Sequence, residues 1–372
     1  MNRSREMLLA LVRSALWGGS LQSETFAGAS HAQWEQTIRL AARQGVTALA
    51  FHSVATLPDD LRPAQDLHLG WALNAHRLTK RHRKQEAVAG ELAELLEKHA
   101  VRTMVLKGLG LARYYPRPHL REYGDLDIWL FGQDRQGDRI VRQMGIPVRD
   151  YNAKHSQFVF QGVLVENHRT FLDETLYAMD RRLDKKLETI LKYRPCREER
   201  IGQGRIYLPP SDFNALFLIR HTAMHFTEGL SLRHLVDWAC FLSIEGRRLK
   251  ATDSILGYLR KEHLEHFAGL LSAIACLQLG LPRECSPFPV DPYRKQAERI
   301  WEDILAEKPQ APGEHRRLTT LAFKARRFIT QQKRYRIVYG RFSFPHRVVL
   351  SIKSHLRHPE TIFGNRIKSP AK

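Results

Sequence analysis

The chain has 372 residues, 43% of them hydrophobic, and a formal net charge of +20. That apolar content supplies a core and excludes global disorder, and the length predicts two or three structural units. A field of this sign attracts polyanions such as nucleotides, RNA, DNA or anionic lipid, while no apolar run reaches the ~20 residues that a bilayer span requires.

Residues 5–17 carry Leu8, Leu9, Val12 and Leu16 at helical spacing, which predicts an amphipathic helix. The basic start faintly resembles a leader peptide, but the short apolar run with Glu6 at its edge and Arg13 at its end favours the amphipathic helix. A second helix is expected over 32–56, with Trp34, Ile38, Ala41, Val46 and Leu49. A longer one is expected over 66–98, basic in its middle (Lys80, Arg81, Arg83, Lys84) and apolar at its end (Val88, Leu92, Leu95, Leu96).

At Val101 the pattern changes. Thr103, Met104, Val105 and Leu106 predict a strand that stops at Lys107-Gly108. A helix over 109–115 ends near Pro116 and Pro118. Residues 125–130 predict a second strand and 133–144 a polar helix. Residues 157–168 predict a hairpin about Gln161-Gly162. Helix is expected over 173–192, a strand over 205–208, and a long helix that Ser211-Asp212 cap. More helix is expected over 231–244, 253–280 and 293–307, with a proline-containing linker at 284–292. From 313 onward the chain carries fifteen Lys or Arg against Glu314 and Glu360, a basic tail suited to a polyanion. Cys196, Cys240, Cys276 and Cys285 show no Cys-x-x-Cys spacing, which predicts reduced thiols of a cytoplasmic protein rather than a zinc or disulfide frame.

The chemistry concentrates in one stretch. Asp125 and Asp127 lie one residue apart, so on a strand both face the same way. Two unit charges about 4 Å apart repel by roughly 4 kcal/mol at an effective dielectric near 20, and a bound cation relieves this. On the hairpin's second strand Leu164, Glu166 and His168 share a face. If that strand lies beside 125–130, three carboxylates converge. With a triphosphate they form a set that holds two divalent ions roughly 3.5–4 Å apart. Lys107 offers a phosphate partner. Gly108, at a strand-to-helix turn, permits close approach of phosphate to backbone N–H groups. The planar fork of Arg121 suits bidentate phosphate contact.

Other residues carry more than one reading. His221 and His225, four apart, form a candidate zinc pair, or line the cleft beside the base or ribose, or are two partly buried rings. Arg233 and Asp237 form an i, i+4 ion pair on a surface or belong to the substrate pocket. His168 either supports a metal ligand or closes a strand.

The order Leu106-Lys107-Gly108, Tyr114-Tyr115-Pro116, Arg121 and Gly124-Asp125-Leu126-Asp127-Ile128 resembles the signature of the uncharacterised bacterial nucleotidyltransferase family, of the DNA polymerase β-like superfamily. The resemblance continues at Val163–Glu166 with Asn167-His168, at Leu208-Pro209-Pro210-Ser211-Asp212, at His221 and His225, and at Leu232-Arg233 with Asp237. It covers about residues 30–245 and omits the basic tail. It implies an α+β fold, a mixed-sheet nucleotidyltransferase core flanked by helical N- and C-terminal regions. By position it makes Asp125, Asp127 and Glu166 the metal-binding acids. Lys107-Gly108 stands where many superfamily members carry Gly-Ser.

The expected organisation is therefore a helical region at 1–100, a nucleotidyltransferase core at 101–210, a helical domain at 211–310 and a basic tail at 311–372. The expected activity is Mg²⁺-dependent transfer of a nucleoside monophosphate from an NTP to a hydroxyl, with pyrophosphate released. Two Mg²⁺ ions are expected, with Mn²⁺ an alternative. The acceptor class is RNA, protein or a small molecule. The competing readings are a non-catalytic nucleotide- or RNA-binding module that keeps the fold, and a peripheral protein whose tail docks on anionic lipid.

Overall fold

The computed structural model describes residues 2–150, 154–172, 178–250, 253–306 and 317–340, with short pieces at 344–345 and 348–349. The helices are α1 (Arg3–Trp17), α2 (Ser23–Phe26), α3 (His31–Gln44), α4 (Thr47–Val54), α5 (Gln65–Glu97), α6 (Lys107–Ala112) and α7 (Asp134–Gln143). They continue with α8 (Ala178–Tyr193), α9 (Ser211–Glu228), α10 (Leu232–Lys250), α11 (Asp253–Lys261), α12 (Glu265–Leu279), α13 (Arg294–Leu305) and α14 (Arg317–Tyr339). The strands are β1 (Thr103–Val105), β2 (Leu126–Trp129), β3 (Arg149–Asp150), β4 (His155–Phe160), β5 (Val163–His168), β6 (Arg197–Ile201) and β7 (Gly204–Leu208).

The strands form one mixed sheet in the order β3-β4-β5-β2-β1-β7-β6. The β5/β2 and β1/β7 pairs are parallel and the others antiparallel. The hairpin closes with Phe160 paired to Val163. Its two turn residues, Gln161 and Gly162, have φ of 48° and 73°, as a two-residue turn matching the strand twist requires. That fixes the ladder residue by residue and brings Gln157 opposite Glu166 and His155 opposite His168.

The sheet separates two cores. On one face Leu126, Ile128, Phe158, Val165 and Ile206 pack against the apolar stripe of α5 (Val88, Leu92, Leu96) and against Ile140 of α7. Residues one step out of phase, Met104 of β1 and Trp129 of β2, face the other core. That larger core runs from Met7 of α1 through α9, α10, α12 and α13 to Val338 of α14. N-terminal and C-terminal helices therefore share one interior, and Asp127 faces it from the sheet.

Several expected elements differ. The helix expected over 32–56 is two, because α3 stops at Gly45 (φ 68°). The helix over 253–280 also splits, at His263 (φ 57°). Pro210, not Ser211, is the N-cap residue of α9, and no side chain caps it. Strand β6, rich in charge and without clean alternation, and the two-residue β3 were not expected from the sequence. The start of the basic tail is structured: α14 is held by Tyr339, whose hydroxyl accepts a hydrogen bond of 2.8 Å from Arg220. Arg220 in turn forks onto Asp180, with both side chains fully buried. Residues 173–177, 307–316 and 350–372, which fall in the helix expected over 173–192, at the end of the one expected over 293–307 and in the basic tail, lie outside the described residues.

Candidate active site

Parallel pairing of β2 with β5 places Asp127 opposite Glu166. Asp125 stands one residue before β2, on the same side as Asp127 by strand alternation. One carboxylate oxygen from each of Asp125, Asp127 and Glu166 lies within 4.8 Å of the others. Three hard oxygen donors so gathered fit a divalent cation of the Mg²⁺ type.

Asp127 is the centre of this group and is only 3% exposed. Its Oδ1 meets the Lys107 ammonium at 2.8 Å and the His168 Nε2 at 2.8 Å. Burial by itself would raise the Asp127 carboxyl, but the Lys107 charge and the His168 hydrogen bond hold it well below the usual carboxylate range. For Lys107, burial opposes its charge and the nearby carboxylates, Asp127 first, outweigh it and push the ammonium up. At Asp125 the Lys107 charge is too weak to compensate. Burial pushes this carboxyl up, and repulsion from Asp127 and Glu166 adds to the shift. At Glu166 burial again acts upward, but hydrogen bonds from His168 and Gln157 and the charge of His155 bring the net direction down. The Gln157 amide donates to Glu166 Oε1 at 2.8 Å. His155 Nε2 lies 3.5 Å from the same oxygen.

The His168 ring is fully buried. Its Nδ1 faces the Thr170 carbonyl at 3.2 Å while Nε2 faces Asp127, so it is fixed in orientation from both sides.

Gly108 sits in a kink of α6. A Cβ there would lie 3.0 Å from the Tyr123 ring and 3.3 Å from the Asp125 carbonyl, so the turn passes directly against the strand that carries the acids.

Arg121 does not reach over the site. Its side chain is 4% exposed and forks onto Asp237, with Nε–Oδ1 at 2.7 Å and Nη2–Oδ2 at 2.8 Å. Nη1 donates to the Gly108 carbonyl at 3.0 Å, and the Tyr115 hydroxyl donates to Asp237 Oδ1 at 2.7 Å. The bidentate geometry expected for phosphate is made instead to a carboxylate. Arg121 therefore ties α10 to the Lys107-Gly108 turn. The expected Arg233–Asp237 pair is accordingly not formed; Arg233 donates to the Glu122 carbonyl at 2.8 Å. Lys107, expected to meet phosphate, faces Asp127. His221 and His225 of α9 gather with His234 of α10 rather than with the acids.

Sequence reasoning missed His155, Gln157 and His234. The first two were readable: once the Gln161-Gly162 turn sets the register, each pairs with a residue of the acidic strand. His234 offered no signal, because its partners come from another helix.

The family described as an uncharacterised nucleotidyltransferase matches residues 30–279. The chain belongs to that family. Among solved structures, this nucleotidyltransferase family member is similar to an antigenic nucleotidyltransferase-like protein from Paracoccidioides brasiliensis. The likeness has 11% identity and a TM-score of 0.31, and it covers 48% of this chain and 88% of that one. No curated protein matches the chain. The α+β architecture expected from the sequence is present as one mixed seven-stranded sheet with flanking helices, and among the described residues no helix is long and apolar enough to cross a membrane.

Proposed function

We propose that this nucleotidyltransferase moves a nucleoside monophosphate from an NTP to an acceptor hydroxyl and releases pyrophosphate. The observation that carries the reading is the register of β2 against β5, which gathers Asp125, Asp127 and Glu166. These three would hold Mg²⁺, as two ions sharing the acids, with Mn²⁺ compatible with the same oxygen set. When bound, such ions neutralise triphosphate charge and make a coordinated hydroxyl more acidic.

The protein's own groups prepare this arrangement. Lys107 and His168 keep Asp127 ionised and oriented. Gln157 and His155 orient Glu166. Asp125, whose proton affinity is raised by burial and then by its two acidic neighbours, is the carboxyl most responsive to an arriving cation. In this reading Asp127 or Glu166 helps deprotonate the acceptor, through the metal or directly. The net charge of +20 favours a polyanionic acceptor such as RNA.

The test is incubation with α-labelled NTPs, Mg²⁺ and fractionated cellular RNA, protein and metabolites. Label moves to one fraction with the wild-type chain and not with Asp127→Ala. Nucleotide binding without transfer, unaffected by metal or by that substitution, would identify a binding module instead.

A further inference from the structure

We propose that His221, His225 and His234 form a second metal site, of the zinc class, built from three imidazoles. It stands apart from the carboxylate group in both donor chemistry and elements. One ring nitrogen from each histidine lies within 4.8 Å of the others. Ring centroids are 4.5 Å apart for His221–His225 and His225–His234, and 5.9 Å for His221–His234.

The construction follows from the chain. His221 and His225, one turn apart on α9, share a face. The chain then turns through Gly229, and α10 returns to bring His234 against them. A tetrahedral zinc with Zn–N near 2.0–2.1 Å needs ligand nitrogens about 3.3 Å apart, a closure that small side-chain rotations supply from the observed spacing.

Two observations on His234 favour a metal over an ordinary aromatic cluster. His234 is 6% exposed, yet its Nε2 has no hydrogen-bond partner among the described residues. Its other nitrogen, Nδ1, lies 2.8 Å from the Ser231 hydroxyl and 3.4 Å from the Ser231 N–H; in the tautomer whose Nδ1–H donates to the hydroxyl, the kind of support that orients a ligating imidazole, Nε2 carries the free lone pair.

Nitrogen donors select zinc and its neighbours over Mg²⁺, which prefers oxygen. Three protein ligands leave a fourth position open.

The experiment uses the full chain, free of any affinity tag and stripped by chelator. Zn²⁺ binding is measured by equilibrium dialysis with elemental analysis, in the wild type and in Asp125→Asn, so that metal at the carboxylates is accounted for separately. The expected result is one tightly held equivalent in both. Folding is checked by circular dichroism, and affinity falls at least tenfold in His225→Asn and in His234→Gln. Ser231→Ala weakens binding by about 10- to 100-fold. Co²⁺ substitution in the wild type needs no variant: intense tetrahedral d–d absorption supports the site. A weak octahedral spectrum, no bound zinc in the wild type, or wild-type affinity in a folded His234→Gln chain would overturn it. Because this readout is metal binding, it is independent of whether nucleotidyl transfer is found.

Discussion

Asp127 and Glu166 are paired across two parallel strands, β2 and β5, that are far apart in the chain. One carboxylate is held by Lys107 and His168, the other by Gln157 and His155. His168 Nε2 also lies 3.6 Å from Glu166 Oε2, so the two acids share one imidazole between them while each keeps a further partner of its own.

Asp127→Asn and Glu166→Gln preserve shape and remove charge. Each is expected to lower nucleotidyl transfer by about 10³-fold, the equivalent of ~4 kcal/mol of lost transition-state stabilisation. His168→Gln removes an orienting contact and is expected to lower it about 10- to 100-fold. Steady-state rates with a labelled NTP check both, and a folded Asp127→Asn chain with the wild-type rate would remove Asp127 from the mechanism.

The Arg121–Asp237 pair is buried, bidentate and shared with Tyr115. Removing one partner strands the other charge, at a cost of about 3–5 kcal/mol. Asp237→Asn and Arg121→Met should each show that loss in urea unfolding, and the double variant should cost less than their sum. Additive losses would mean that the two side chains do not interact.

Acidification should destabilise the fold through His82. This ring is buried beside Tyr123, and burial, the leading cause, lowers it from 6.5 to about 4. In that interval the unfolded chain binds a proton that the folded chain refuses, so stability falls as pH drops from 6.5 towards 4. His82→Gln should flatten this part of the urea-midpoint profile against pH. An unchanged slope would show that His82 does not contribute.

Tyr339 anchors the start of the basic tail to the buried Arg220–Asp180 pair. Tyr339→Phe deletes one hydrogen bond to a charged group and is expected to cost about 1.5–3 kcal/mol. It should also speed proteolysis within α14, read by mass spectrometry of the fragments.

The sequence makes the site legible wherever local rules suffice. Period-two alternation puts Asp125 with Asp127 and Glu166 with His168, and the Gln161-Gly162 turn sets the hairpin register. It misleads where a side chain's partner comes from afar. Arg121 has the chemistry of a phosphate ligand, but Asp237 arrives from α10 and takes its fork. The charge pattern of β6 hides a strand whose stability comes from pairing with β7 rather than from its own alternation. The basic composition of α14 likewise conceals that Val338 enters the main core.

Mn²⁺ binding, followed by electron paramagnetic resonance with a non-hydrolysable NTP analogue present, tests whether Asp125, Asp127 and Glu166 hold a divalent ion together with an NTP. The wild-type chain is expected to bind Mn²⁺ more tightly with the analogue than without, and Asp127→Asn to abolish the difference. A folded Asp127→Asn chain that takes up Mn²⁺ and analogue as the wild type does would contradict this assignment.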